Sequence, residues 1–80
     1  MDDEMRISDF KLAATMLARN HEFLGANADD PRRIAFRFRS TKQLEEDIDL
    51  YWSKKLLIDP TDLWDKYKFV KDILIGFKRV

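Results

Sequence analysis

His21 is the only histidine and the chain has no cysteine, so few of its side chains are suited to chemistry. Histidine is the usual general base near neutral pH. Here no serine or cysteine nucleophile pattern surrounds it. It follows Asn20 at the end of an apolar-periodic run and reads as a helix-terminal histidine favoured by the helix dipole. Glu45, Glu46, Asp47 and Asp49 form an acidic cluster. Glu45 and Asp49 stand at i, i+4 and share a helix side, but the glycine and loop spacing of a calcium site are missing. The cluster reads as a solvated helix face, with Glu45, Glu46 and Asp49 as its candidate contact residues. The only glycines are Gly25 and Gly76, so no phosphate-cradling loop exists. Without cysteine there is no disulfide, thiolate metal site or thiol nucleophile, which fits a reducing compartment. The expectation is a non-enzymatic protein with no catalytic, cofactor or metal residues and no small-molecule substrate.

The basic residues carry the more open possibility. Formal net charge is zero, with 15 bases against 15 acids in 80 residues. That zero averages over blocks. Residues 1–30 have a balance of −4, residues 31–44 of +5, residues 45–65 of −5 and residues 66–80 of +4. Such blocks build local fields even when the total cancels. Arg33, Arg37 and Arg39 alternate with Ile34, Phe36 and Phe38, and Arg32 and Lys42 stand at the two ends. If helices cover the apolar side, these bases form an exposed ridge that suits phosphates or an acidic protein surface. The plainer alternatives are pairing with the acidic second helix, or protection of a strand edge. A second basic patch is Lys66, Lys68, Lys71, Lys78 and Arg79.

The elements that must position these residues follow from periodicity. Residues 1–7 read as a loose tail and 8–80 as one compact domain. Ser8 starts a helix as N-cap. Phe10, Ala13, Ala14 and Leu17 share one face, and Asn20 ends the helix because asparagine tolerates the left-handed conformation. A β-hairpin comes next, its second strand Arg33 to Arg39 showing period-two alternation. Phe36 and Phe38 read as core. Ser40 and Gln43 fit a capping box, and Leu44, Ile48, Tyr51 and Trp52 define a helix ending near Trp52. Leu56-Leu57-Ile58 suggests a short third strand. Asp59-Pro60-Thr61-Asp62 is a strong helix start, and Gly76 marks that helix's fraying end. Trp52, Trp64 and Tyr67 lie on apolar helix faces and read as core first, with room for part of one tryptophan to be exposed as an interaction anchor. The order α-β-β-α-(β)-α is an α+β domain, an antiparallel hairpin with helices packed on one face.

No run is long enough to cross a bilayer, since Leu12 to Ala18 is the longest helix-compatible apolar stretch. The acidic Met1-Asp2-Asp3-Glu4 start lacks the positive charge of a secretory signal. The expected setting is soluble and cytoplasmic, with no membrane partner.

Ile7-Ser8-Asp9-Phe10-Lys11-Leu12-Ala13, the strand Arg33-Ile34-Ala35-Phe36-Arg37-Phe38, the pair Tyr51-Trp52 and the turn Ile58-Asp59-Pro60 occur in that order. In this the chain resembles a family of short bacterial, archaeal and phage proteins catalogued as a domain of unknown function. The resemblance covers roughly residues 7–75. Ile7 stands where that family usually has threonine, and Asn20 where it usually has glycine. It implies a fold and a prokaryotic or phage origin, and no activity.

Two functions are therefore expected. The first is a non-enzymatic protein-interaction module, phage- or mobile-element-associated, that meets a protein partner or a second copy through its charged faces or a sheet edge. The alternative is a nucleic-acid-binding accessory protein using the Arg-rich strand face.

Overall fold

The structure, a computed structural model, describes residues 3–30 and 33–78. Its elements are β1 (Glu4–Ile7), α1 (Phe10–Ala18), β2 (Phe23–Asp30), β3 (Arg33–Arg39), α2 (Lys42–Trp52) and α3 (Pro60–Lys78). The strands form one antiparallel sheet in the order β1-β3-β2. The fold is α+β, as the periodicity implies, with the expected hairpin as β2 and β3.

The third strand is at the opposite end of the chain from its expected place. Residues 4–7 are paired with β3 and are not a loose tail. Met5 and Ile7 lie opposite Phe38 and Phe36, so they extend the apolar face. Glu4 and Arg6 lie opposite Arg39 and Arg37 on the other face. Residues 56–58 form no strand. β3 has β1 on one side and β2 on the other, so it is the central strand. Its arginines therefore guard no edge.

One face of the sheet is the floor of the core. Phe36 and Phe38 are fully buried there with Ile7 and Ile34, beneath Leu12, Ala13, Ala14, Met16 and Leu17 of α1. The small Ala13 and Ala14 let neighbouring elements approach α1 closely. Leu44 of α2 and Val70 of α3 complete the buried set. Helix α1 thus sits at the centre of the helical layer, contacting both α2 and α3.

The helix ends have local causes. The N-cap of α1 is Asp9 and not Ser8: its carboxylate accepts from the Lys11 and Leu12 amides at 2.9 and 3.3 Å. The N-cap of α2 is Thr41 and not Ser40, accepting from the Leu44 amide at 3.0 Å. That shift of one residue leaves no capping box and puts Leu44 at N3, pointing into the core. Asp59 caps α3 as expected, accepting from the Thr61 and Asp62 amides. Gly76 does not end α3, which continues to Lys78.

Helices α1 and α2 close with the same hydrogen-bond pattern. The Asn20 and His21 amides donate to Leu17 and Met16, and the Lys54 and Lys55 amides donate to Tyr51 and Leu50. These are Schellman motifs, which need a left-handed residue. Asn20 takes it at φ 66° and Lys54 at φ 63°. Asparagine tolerates that region; lysine does so at a cost. Lys54→Gly is expected to stabilise the fold by about 0.5 kcal/mol, raising the melting temperature by about 3 °C. Asn20→Gly should change it less. A scan of both variants by circular dichroism checks the difference.

Candidate functional site

Two of the five bases of the expected Arg-rich ridge, Arg37 and Arg39, are paired within the sheet. The Arg37 guanidinium donates to Glu4 Oε1 at 2.7 Å and to the Leu24 carbonyl at 3.2 Å. Arg39 Nε donates to Glu22 Oε1 at 3.0 Å. That bond, with the Glu22 charge, raises the Arg39 pKa above its ordinary value. The acids involved flank β3 on the neighbouring strand β1 and at the entry to β2; none of them is on α2. Gly25 makes room for this arrangement. It lies opposite Arg37 at φ 136°, where a Cβ would stand 2.8 Å from the guanidinium. β2 bulges at Leu24, where one extra residue breaks the register.

The other candidate residues are dispersed. Arg33 is exposed at the start of β3, and Lys42 is exposed at the start of α2. Glu45, Glu46 and Asp49 are exposed on α2. Lys66, Lys68 and Lys71 are exposed on α3, but at about 100° per residue Lys66 stands on a different side from the other two. Arg32, Arg79 and the Lys78 side chain lie outside the described residues.

Asp47 is not part of a solvated face. It is 1% exposed, because Leu44, Asp47, Ile48 and Tyr51 follow i, i+3, i+4, i+7 spacing on the inner side of α2. Its carboxylate lies 2.6 Å from His21 Nε2. Arg19 donates to both its oxygens at 3.3 and 3.4 Å, and Gln43 Nε2 donates at 3.1 Å. An ionised carboxylate only accepts, so Nε2 carries the proton in this contact. Burial pushes the Asp47 carboxyl up. The bonds from His21, Arg19 and Gln43, with the Arg19 charge, outweigh it and hold the group below the ordinary aspartate value. The single histidine is thus a structural partner that joins the entry of β2 to α2.

The structure brings together a different set of residues. α2 and α3 flank α1, and a cleft opens between them. Lys11 and Thr15 of α1 form its floor, Tyr51 of α2 one wall, and Leu63, Trp64 and Tyr67 of α3 the other. The recess measures about 380 Å³. The Thr15 hydroxyl donates to the Lys11 carbonyl at 2.8 Å, so its proton is satisfied within α1. Burial, then the nearby Asp9 charge, push the Tyr51 hydroxyl pKa up, so it stays neutral at physiological pH. Trp64 is 63% exposed and meets Tyr67 edge-on at 5.8 Å; Tyr67 meets Phe10 at 5.7 Å. Trp52, at the end of α2, is 61% exposed and meets Tyr51 edge-on at 5.0 Å.

Both tryptophans are therefore surface groups and not the core residues expected from their apolar helix faces, and the exposure extends to both and not to part of one. The sequence signal was present in α3, where Leu63, Tyr67, Val70 and Leu74 already supply a complete inner face and leave Trp64 in excess.

The fold and this surface define a small α+β domain with an open aromatic cleft in its helical layer. No family model, curated protein or solved structure matches the chain. Among the described residues no helix is long and apolar enough to cross a membrane.

Proposed function

We propose that the protein is a non-enzymatic protein-interaction module, and that its contact surface is the cleft between α2 and α3, taking a helical segment of a partner. The single observation that carries this reading is Trp64, a large apolar side chain left in solvent beside a recess that other aromatics line. Contiguous exposed apolar surface on a small domain marks an interaction site. Exposed tryptophan and tyrosine beside a pocket are the side chains that most often anchor a partner. A helix laid on α1 between α2 and α3 uses helix-in-groove recognition. The Arg-rich strand face supports the reading less, because Arg37 and Arg39 already hold Glu4 and Glu22. A phage or mobile-element setting and a cytoplasmic location belong to the same proposal.

Trp64→Ala is expected to fold normally, since the side chain is mostly in water, and to bind a partner at least about tenfold more weakly. The test retains partners from lysate on wild type, on Trp64→Ala and on an Arg37→Glu, Arg39→Glu variant, and measures affinity for whatever is retained. Loss on the first variant alone is the expected result. Loss on the arginine variant alone, with nucleic acid retained and released by salt, would overturn the cleft in favour of the strand face.

A further inference from the structure

The cleft continues along α3. Beyond Tyr67 lies a second recess of about 280 Å³, lined by Phe10, Tyr67, Lys71, Leu74 and Ile75. Tyr67 is the wall shared by both. From Leu63 to Ile75 the groove follows α3 for about 18 Å, the length of some three helical turns. The centres of the two recesses lie about seven residues apart along α3, or roughly 10 Å. Each recess has one lysine in its lining, Lys11 in the first and Lys71 in the second, and neither lining contains a carboxylate. The Asp9 charge reaches the first recess at Tyr51, but Asp9 Oδ1 is held by the Lys11 and Leu12 amides as the cap of α1. The remaining lining residues are apolar or aromatic except Thr15, whose hydroxyl proton is already used.

We infer that the occupant is an acidic amphipathic helix, with two apolar anchors about seven residues apart and carboxylates beside each anchor. This rests on the cleft being the contact surface. Lys11 is an exposed member of the lining, so an occupant lying against its stem draws water away from its ammonium. Covering an ammonium without a partner is penalised. A purely apolar or basic helix incurs that penalty, and a carboxylate removes it. Lys71 repeats the requirement one recess further on. The two lysines thus set both the sign of the partner's charge and the spacing at which it recurs. Acids at i and i+7 stand on one side of the partner helix, beside the anchors.

The probe is a display library of helical peptides of about 14 residues, enough to span both recesses. Leucines are fixed at two positions seven apart, and the positions beside them are drawn from Asp, Ser and Lys. Binders are selected on wild type, on Trp64→Ala and on a Lys11→Glu, Lys71→Glu variant. On wild type, Asp is expected over Lys by about fivefold at each such position, the upper end for exposed ion pairs. On the double charge reversal, the preference should invert. Equal use of Asp and Lys on wild type, or no binders at all, would overturn the acidic helix. If binders of any charge vanish on Trp64→Ala, the cleft stands without the charge rule. Binders that ignore Trp64→Ala would overturn the cleft itself.

Discussion

Asp47→Ala is expected to destabilise the protein by about 3 kcal/mol at neutral pH. Removing one partner from a buried ionic cluster costs about 3–5 kcal/mol, because the other partners stay behind unpaired. The lower end applies here. Arg19 is partly exposed and can turn to water, whereas His21 is nearly as buried as Asp47 and cannot. Asp47→Asn keeps the shape and some of the hydrogen bonds, so it should lose less. The two variants also separate geometry from charge. The folded carboxyl lies below its unfolded value, so its contribution is complete above the ordinary aspartate range and is lost as pH falls through the folded value. Wild type should therefore approach Asp47→Asn in stability from about pH 4 downward. Urea unfolding of the three proteins across the acid range is the measurement. Equal midpoints for wild type and Asp47→Ala at neutral pH would show that the cluster holds nothing.

Phe36→Ala should have the largest effect, about 4 kcal/mol. Phe36 is fully buried on the central strand, opposite Ile7 on one side and Ala26 on the other. Its ring lies 6.5 Å from that of Phe23. The cavity left by alanine would be bounded by all three strands below and α1 above, so no single side chain can relax into it. A chain of this length has a total stability of about 4–12 kcal/mol. The variant is therefore expected to be largely unfolded at 37 °C, or to retain little margin. Phe36→Leu, which keeps most of the volume, should cost about 1.5 kcal/mol. Urea midpoints with an unchanged m value would assign the difference to stability and not to a change of state.

These two residues also mark what could be read in advance. Phe36 was legible as core, because strict alternation over Arg33 to Arg39 leaves only one face for Ile34, Phe36 and Phe38. Asp47 was open to a better reading. It shares helical spacing with Leu44, Ile48 and Tyr51, but three neighbouring acids made the group look solvated as a whole. β1 carries too short a pattern: Met5 and Ile7 give two apolar positions, and the strand exists only because β3 offers it a free side. The strand arginines were placed on the correct face. Their partners are harder to read: Glu4 lies in a stretch that reads as a tail, and Glu22 lies where the hairpin's first strand has no clear alternation to fix its register. The cleft was the least legible feature, because it lies between two helices that both pack on α1. Sequence periodicity reports what a helix buries, and it does not show where two helices leave a cleft.

The order β1-β3-β2 has a consequence for the chain as it is made. Only two residues separate β2 from β3 in the chain, so the hairpin can close as soon as both have been synthesised. β1 joins Ile7 to Phe36 and Glu4 to Arg39, a loop of roughly thirty residues whose closure is slower. Of the three strands, the one made first is thus the last to be paired. Until Arg39 exists, Met5 and Ile7 have no strand to lie against, and Phe36 and Phe38 acquire their second neighbour only when β1 returns.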